Sequence, residues 1–329
     1  MKPLAYTLLR HFADGAFHSG EALARSVGAS RASVWNAVEE VEAAGLAVFR
    51  IRGRGYRLAA PLSMLNGGEL ATSLAKTTPF KIELIDEVDS TNTLLLARAR
   101  EGAPHATVIA AEWQRAGRGR MQRRWHALPA GSLTFSVLWR LARGAASLAG
   151  LSLAVGVALI RTLGALGING AGLKWPNDVL WQGRKLAGIL IEMQGDALGP
   201  AAVVIGIGVN VRLSEAARDS IDQPVTDVEG IVERVVDRNQ LLAMLLGELH
   251  AVLMTFEQKG FAVLRDEWQR NHVHQGRSVR LTLPDGQRAN GVARGVAIDG
   301  ALMVETARGV QPFHSGEVSV RATDASERV

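Results

Sequence analysis

The residues best suited to chemistry sit in a few short runs. Gly117-Arg118-Gly119-Arg120, followed by Arg123 and Arg124, alternates two glycines with two guanidiniums. Glycine lets a backbone approach a ligand closely and expose its N–H groups, and guanidinium forks match carboxylate and phosphate oxygens. Read alone, the run is equally an ordinary basic surface loop or a nucleic-acid contact. It lacks the Gly-Lys-Ser/Thr ending of a P-loop. Lys174-Trp175-Pro176-Asn177-Asp178 offers a cation, an amide and a carboxylate in one short stretch, against the plainer reading of a structural turn. Arg184-Lys185-Leu186-Ala187-Gly188 leads into an apolar strand, so Lys185 points either into a site or into solvent. Gly206-Ile207-Gly208-Val209-Asn210 closes another apolar strand, where paired glycines mark close backbone approach or tight packing on a helix. Asp89-Ser90-Thr91-Asn92 precedes a helical stretch and reads locally as an N-cap cluster. Five of the seven tryptophans lie between Trp113 and Trp181, as the lining of a small-molecule pocket or as core.

Composition narrows the chemistry. The chain has 329 residues, 47% of them apolar, and 37 Lys and Arg against 32 Asp and Glu. That is enough to fold as two or three packed domains. With no cysteine, disulfides, a thiolate nucleophile and Cys-ligated zinc or iron–sulfur sites are excluded. Residues 98–143 carry nine Arg and only Glu101 and Glu112, so this stretch alone exceeds the whole chain's formal charge of +5. Residues 1–60 are also net basic, while 61–97 and 144–270 are net acidic. A patch of this kind expects an anion: nucleic acid, a nucleotide or an acidic protein. The first residues, MKPLAYTLLRHFADG, have no long apolar core or small-residue cleavage site, and no run reaches the roughly 18 apolar residues of a membrane span. A cytoplasmic protein without a membrane partner is the expectation.

The elements that must position these residues form three textures. Residues 1–60 read as three short helices, with Gly28 as a turn, Ser30 as the N-cap of the third and Gly45 as its end. A strand-turn-strand follows, in which Val48 and Ile51 pair with Tyr56 and Leu58 around Gly53 and Gly55. That is a winged helix-turn-helix. Residues 61–80 read as a linker, with Asn66-Gly67-Gly68 as a turn or hinge. Residues 81–270 alternate strands such as IELIDEV, TVIAAE, SLTFSVLW, DVLW, KLAGILIEM and AAVVIGIGVNV with the apolar helix 148–166, a mixed α/β domain. Residues 271–329 are short alternating strands parted by Asp-Gly and Gly turns, a small β-barrel. The fold class expected is α+β.

DSTN, Gln114 with AGRGR, LKWPNDV, RKLAGILIE and IGIGVN, in this order and at these intervals, resemble the biotin–protein ligases. With a winged helix in front and a barrel behind, residues 1 to 323 resemble the bifunctional biotin–protein ligases that also repress the biotin operon. The resemblance implies a central biotin-ligase catalytic domain and an SH3-like C-terminal barrel. It implies that biotin and ATP form biotinyl-5′-AMP with Mg²⁺, and that biotin passes to a lysine of the biotin carboxyl carrier protein of acetyl-CoA carboxylase. It further implies that the adenylate is a corepressor favouring a homodimer on operator DNA.

Carried over residue by residue, Ser90, Thr91, Asn92 and Gln114 would hold the biotin ring, with Gly117, Arg118, Gly119 and Arg120 as the loop closing over biotin. Lys185 and Gly188 would complete the biotin site. Arg118, Arg120, Arg123, Lys174, Asn177, Asp178, Gly206 and Asn210 would bind ATP. Arg120, Lys174 and Lys185 are the catalytic candidates, and Asp178 the candidate magnesium ligand. For DNA the candidates are Ser30, Arg31, Ser33, Trp35 and Asn36 on the third helix and Arg50, Arg52 and Arg54 on one face of the wing. Three departures stand out. Gln122 replaces a glycine usual in the family's loop. The stretch between Val211 and Thr226, where the family places an adenine lid, has no aromatic residue and leaves Leu213 or Val225 to serve. Glu39 and Glu40 sit awkwardly on a helix meant for phosphates. A ligase whose winged helix no longer represses, a non-catalytic ligand-sensing transcription factor and a lipoate-attaching relative are the alternatives.

Overall fold

The computed structural model describes all residues except 75–77, 142–147, 196–200, 283–286, 315–318 and 323–329. In chain order the elements are α1 (Pro3–Phe12), α2 (Gly20–Ser26), α3 (Arg31–Ala43), β1 (Val48–Ile51), β2 (Gly55–Leu58), α4 (Gly67–Leu74), β3 (Lys81–Val88), α5 (Thr91–Arg100), β4 (Thr107–Gln114) and β5 (Ser132–Leu141). There follow α6 (Leu151–Ala165), β6 (Ala171–Lys174), β7 (Asp178–Trp181), β8 (Arg184–Gly195), β9 (Ala201–Asn210), α7 (Glu215–Asp219), α8 (Val228–Val232), α9 (Arg238–Lys259) and α10 (Arg265–Arg270). The last strands are β10 (Ser278–Thr282), β11 (Arg288–Val296), β12 (Leu302–Thr306), β13 (Gly309–Phe313) and β14 (Ser319–Ala322).

The first 60 residues fold as a winged helix because each helix has a start signal and one apolar face. Pro3 opens α1, the Ser19 hydroxyl accepts from Ala22 N–H at 3.0 Å, and Ser30 accepts from Ser33 N–H at 3.0 Å. Ala5, Tyr6, Leu8, Leu9, Phe12, Leu23, Val34, Val38, Val41 and Leu58 close a core of their own. Strands β1 and β2 pair with Val48 opposite Leu58 and Ile51 opposite Gly55, and His18 adds a bridge to Tyr56. Gly55 cannot be substituted, since its φ is +98° and a Cβ would lie 2.0 Å from the His18 carbonyl oxygen.

Two expectations change here. Asn66-Gly67-Gly68 is the start of α4 rather than a free hinge, because Asn66 Oδ1 accepts from the N–H groups of Gly68 and Glu69 at 2.9 and 3.3 Å. Strand β1 stops at Ile51, so Arg52 and Arg54 lie in the turn around Gly53 and do not share a strand face with Arg50.

The chain divides into two compact units, 1–138 with 206–243, which includes the winged helix, and 139–205 with 244–329. In the first unit the strand order is β3-β4-β5-β9, with β3 parallel to β4 and β5 antiparallel to it. In the second it is β5-β9-β8-β7-β6, the last three antiparallel, and β5 and β9 run through both units. The second unit also holds an antiparallel five-stranded sheet, β13-β12-β11-β10-β14, the strands expected of the small barrel. Helix α9 is long and apolar enough by length and composition to cross a membrane, and half of its most apolar stretch is buried in the protein.

Candidate functional site

In the first unit the chemistry collects where β3, β4, β5 and β9 end. Ser90 caps α5, its Oγ accepting from Thr93 N–H at 3.4 Å, and Ser90, Thr91 and Asn92 are buried. The Thr91 N–H donates to Gln114 Oε1 at 2.7 Å, and the Thr91 hydroxyl lies 3.0 Å from the same oxygen. A backbone N–H can only donate, so the Gln114 amide has its oxygen toward Thr91 and its Nε2 on the other side. There Nε2 lies 3.1 Å from where a Cβ on Gly117 would sit. Ser136 Oγ, not among the sequence candidates, lies 2.7 Å from Thr91 Oγ1 and 2.5 Å from Asn92 Oδ1.

The Gly-Arg loop grows from β4 and folds back on itself. Arg115 and Ala116 N–H groups bond the carbonyls of Val88 and Asp89, Trp125 N–H bonds Gly117 O at 2.8 Å, and Arg118 bridges Arg124. Gly117 is forced, since a Cβ there would meet the Trp125 carbonyl at 2.9 Å. Arg118 and Arg123 are exposed on this loop and Arg120 is half-buried. Met121 takes a left-handed φ of 53°, and the Gln122 side chain lies outside the described residues.

Strand β9 carries the glycine pair and Asn210. A Cβ on Gly206 would fall 2.2 Å from Asn92 Oδ1, and one on Gly208 would fall 2.6 Å from the Trp125 ring. Both glycines therefore make room for side chains of this protein. Asn210 is buried and donates through Nδ2 to the Thr226 carbonyl at 3.1 Å. The two ends of the 211–226 stretch are anchored, with Leu213 and Val225 buried and Leu213 N–H bonding Asp227 Oδ2, while the residues between them are exposed or half-buried.

Beneath these residues lies an ion pair that sequence reasoning missed. Arg238 Nη1 donates to Glu112 Oε2 at 2.6 Å with both side chains buried. Glu112 Oε1 accepts from Leu65 N–H at 2.6 Å, and Arg238 Nη1 also donates to the Ser63 carbonyl, while its Nε and Nη2 find no partner among the described residues. A glutamate inside the apolar run IAAEW was the available signal.

In the second unit Lys174 pairs with Asp178 across the β6–β7 hairpin, which makes Trp175-Pro176-Asn177 its loop. The loop is fixed from below: Trp175 is buried and donates to the Gly300 carbonyl at 2.9 Å, and Asn177 Nδ2 donates to Ile189 O at 2.8 Å. Across the β7–β8 pairing, Lys185 Nζ lies 2.7 Å from Asp178 Oδ1, an ion-pair distance outside hydrogen-bond alignment. Gly188 stands opposite Asp178. Asp178, the expected magnesium ligand, is thus a single carboxylate already neutralised by Lys185. Among the described residues no group of three or more His, Asp or Glu could hold a metal ion.

Lys174 has unexpected neighbours. Leu173 bonds the backbone of Asn271 and Val273, which brings in His272 and His274, both buried. Burial first, then the charge of His274, lowers the His272 pKa to about 4, and burial, then Lys174 and Arg277, lowers that of His274 to about 4. Both rings are neutral in the folded chain, whereas unfolding returns them toward 6.5. The unfolded state therefore binds more protons between those values, so stability holds above pH 6.5 and falls as pH drops toward 4. The loss should be on the order of 3 kcal/mol per histidine. Urea midpoints between pH 7 and pH 4 check this, and a His272→Gln chain should show a shallower fall.

On the winged helix, Arg31, Trp35 and Asn36 are exposed, Trp35 by 48%. The Ser30 and Ser33 hydroxyls are engaged with each other in the cap, at 2.9 Å. Arg50 is ion-paired with Glu39 and Glu42 and stacked over Trp35 at 5.9 Å, so it braces the wing against α3 and is not a free phosphate contact. The same pairing, with Lys2 on Glu40, neutralises the acidic residues that looked awkward there. Arg54 stacks on Phe17 at 4.3 Å. Of the five clustered tryptophans, Trp139 and Trp175 lie in the core and Trp113, Trp125 and Trp181 are half-buried.

Comparison with known proteins agrees with this layout. Residues 84–210 match the Biotin/lipoate A/B protein ligase family, residues 274–321 the Biotin protein ligase C terminal domain, and residues 6–57 an HTH domain. The chain is 36% identical over 318 residues to the bifunctional ligase/repressor BirA of Escherichia coli, covering 96% of this chain and 97% of that one. It is 34% identical over 243 residues to the biotin--[acetyl-CoA-carboxylase] ligase of Mycobacterium tuberculosis, covering 72% and 88%. The Aquifex aeolicus biotin protein ligase in complex with biotin and ATP superposes with a TM-score of 0.63 at 28% identity, over 74% of this chain and 99% of that one. An arginine-rich loop, a lysine-bearing hairpin and a winged helix in this order, with that identity along the whole chain, place the protein in the biotin–protein ligase family, in its bifunctional ligase/repressor branch.

Proposed function

We propose that this chain is an ATP-dependent biotin–protein ligase that forms biotinyl-5′-AMP and transfers biotin to a carrier lysine, and that the adenylate makes it a repressor. The observation that carries the reading is the buried neutral cluster Thr91–Gln114 followed directly by the Gly-Arg loop. A neutral polar cluster suits an uncharged ureido ring, and the adjoining arginines suit the carboxylate and phosphates that must meet next to it. In the first step a biotin carboxylate oxygen attacks the α-phosphorus of ATP and the bond to the β-phosphate breaks, releasing pyrophosphate. In the second, the amine of a biotin carboxyl carrier protein attacks the acyl carbon, AMP leaves, and the amine gives up a proton.

Two anions repel in the first step, so fixed positive charge is the main requirement. Arg118, Arg120 and Arg123 on the loop, with Lys174 and Lys185, supply it. Ser90, Thr91, Asn92, Gln114 and Gly188 hold biotin in this reading, and Asn177 and Asn210 the nucleotide. Gly206 serves by admitting Asn92. Asp178 acts by holding Lys185, and a magnesium ion bound with ATP would neutralise phosphate charge. The protein forms no covalent bond itself; it positions, neutralises and shields a reactive mixed anhydride. Arg31, Trp35, Asn36, Arg52 and Arg54 are the DNA-facing side chains, and an adenylate-bound homodimer would present two such helices to a two-fold-symmetric operator.

The test is purified protein with biotin, magnesium, ATP and a carrier domain. Pyrophosphate release and labelling of one carrier lysine are expected, and no labelling would refute the ligase. Footprinting upstream of biotin-synthesis genes should show protection that requires the adenylate. Protection indifferent to it would refute the corepressor role.

A further inference from the structure

We propose that Ser136, on β5, is a positioning residue that sets the hydrogen-bond polarity of Thr91 toward the ligand; this rests on the biotin reading above. Four polar atoms lie in a buried row: Gln114 Oε1, Thr91 Oγ1, Ser136 Oγ and Asn92 Oδ1, separated by 3.0, 2.7 and 2.5 Å. The two ends are carbonyl oxygens, which only accept, and the two hydroxyls between them hold one proton each. Three gaps share two protons, so one gap holds none; the widest, 3.0 Å between Gln114 Oε1 and Thr91 Oγ1, bears that best, because Gln114 Oε1 already accepts from the Thr91 backbone N–H. Thr91 therefore donates to Ser136, and Ser136 to Asn92.

This arrangement has one outcome for the ligand. The Thr91 proton is held inside the row, so Thr91 Oγ1 can only accept from outside. Beside it Gln114 Nε2 can only donate. An acceptor next to a donor is the complement of an N–H beside a C=O, the edge of a cyclic urea. Ser136 is wholly buried, and acts only through its neighbours. Gly206 is part of the same device, because a side chain there would displace Asn92 Oδ1.

Without the Ser136 hydroxyl the Thr91 proton is released. Gln114 Oε1 keeps the Thr91 backbone N–H as its donor, so the Thr91 hydroxyl is free to rotate outward. The experiment compares biotin with its two cyclic carbamate analogues, each having a ring oxygen in place of one ureido N–H. Wild type should reject the analogue whose oxygen faces the Thr91 lone pair. In Ser136→Ala, KM for biotin should rise about tenfold and the preference for biotin over that analogue should narrow by about tenfold, with KM for ATP unchanged. Ser136→Cys fills the space but is a poor donor, and should behave like Ser136→Ala. An equal loss toward biotin and both analogues, or a Ser136→Cys chain that behaves like wild type, would reduce Ser136 to a packing residue and overturn the proposal. A wild-type chain that labels no carrier would instead overturn the ligase reading.

Discussion

Lys185→Ala is expected to lower kcat/KM for adenylate formation about a thousandfold, or ~4 kcal/mol. Strand β8 holds this ammonium 2.7 Å from Asp178, with both side chains largely buried. A charge placed this way needs little reorganisation when the carboxylate and the α-phosphate come together. Removing it leaves the two anions to repel and leaves Asp178 without its counter-charge. Asp178→Asn should lose only about tenfold, because in this reading the carboxylate orients the lysine and does not touch the reacting atoms. Pyrophosphate exchange reads the first step, and a single turnover from supplied biotinyl-5′-AMP reads the second. The Lys185→Ala defect should be much smaller in the second. A Lys185→Ala chain within tenfold of wild type in exchange would remove Lys185 from the catalytic set.

Glu112→Ala should destabilise the chain by about 3–5 kcal/mol, the cost of leaving a buried guanidinium without its partner. Arg238 is wholly buried, two of its nitrogens lack acceptors among the described residues, and Glu112 is its one counter-charge in the described ion pairs. The same glutamate accepts from Leu65 N–H, so the variant also frees the chain that follows the winged helix. Glu112→Gln keeps an acceptor for Leu65 and should lose about half as much. Urea denaturation followed by tryptophan fluorescence measures both. Because Glu112 lies two residues before Gln114 on β4, KM for biotin should rise in step with the lost stability. Wild-type stability in Glu112→Ala would show that the pair contributes nothing net.

Much of the fold was legible in the sequence because its signals are local. Ser30 and Ser90 cap helices as hydroxyls before apolar periods do, and each apolar run singled out became a strand or helix. The wing's arginines were legible as residues and not as a surface. Period two holds only while the strand lasts, and it stops at Ile51. The Asn66-Gly67-Gly68 run was misread for a related reason: asparagine opens turns and helices with the same hydrogen bond.

By itself the sequence determined the order of the elements, the chemical types at the site and, through five motifs at family intervals, the family. Only the tertiary structure decided which polar group each of those residues meets. Arg238 finds Glu112 from 126 positions away, and Ser136 finds Thr91 from 45. Gly206 proves to be a place for Asn92, and Asp178 a partner for Lys185. Periodicity reports which face of an element is buried, because burial follows from the element's own geometry. A hydrogen bond or ion pair depends on ångström-scale distances between strands remote in sequence, and those distances exist only once the sheet has formed.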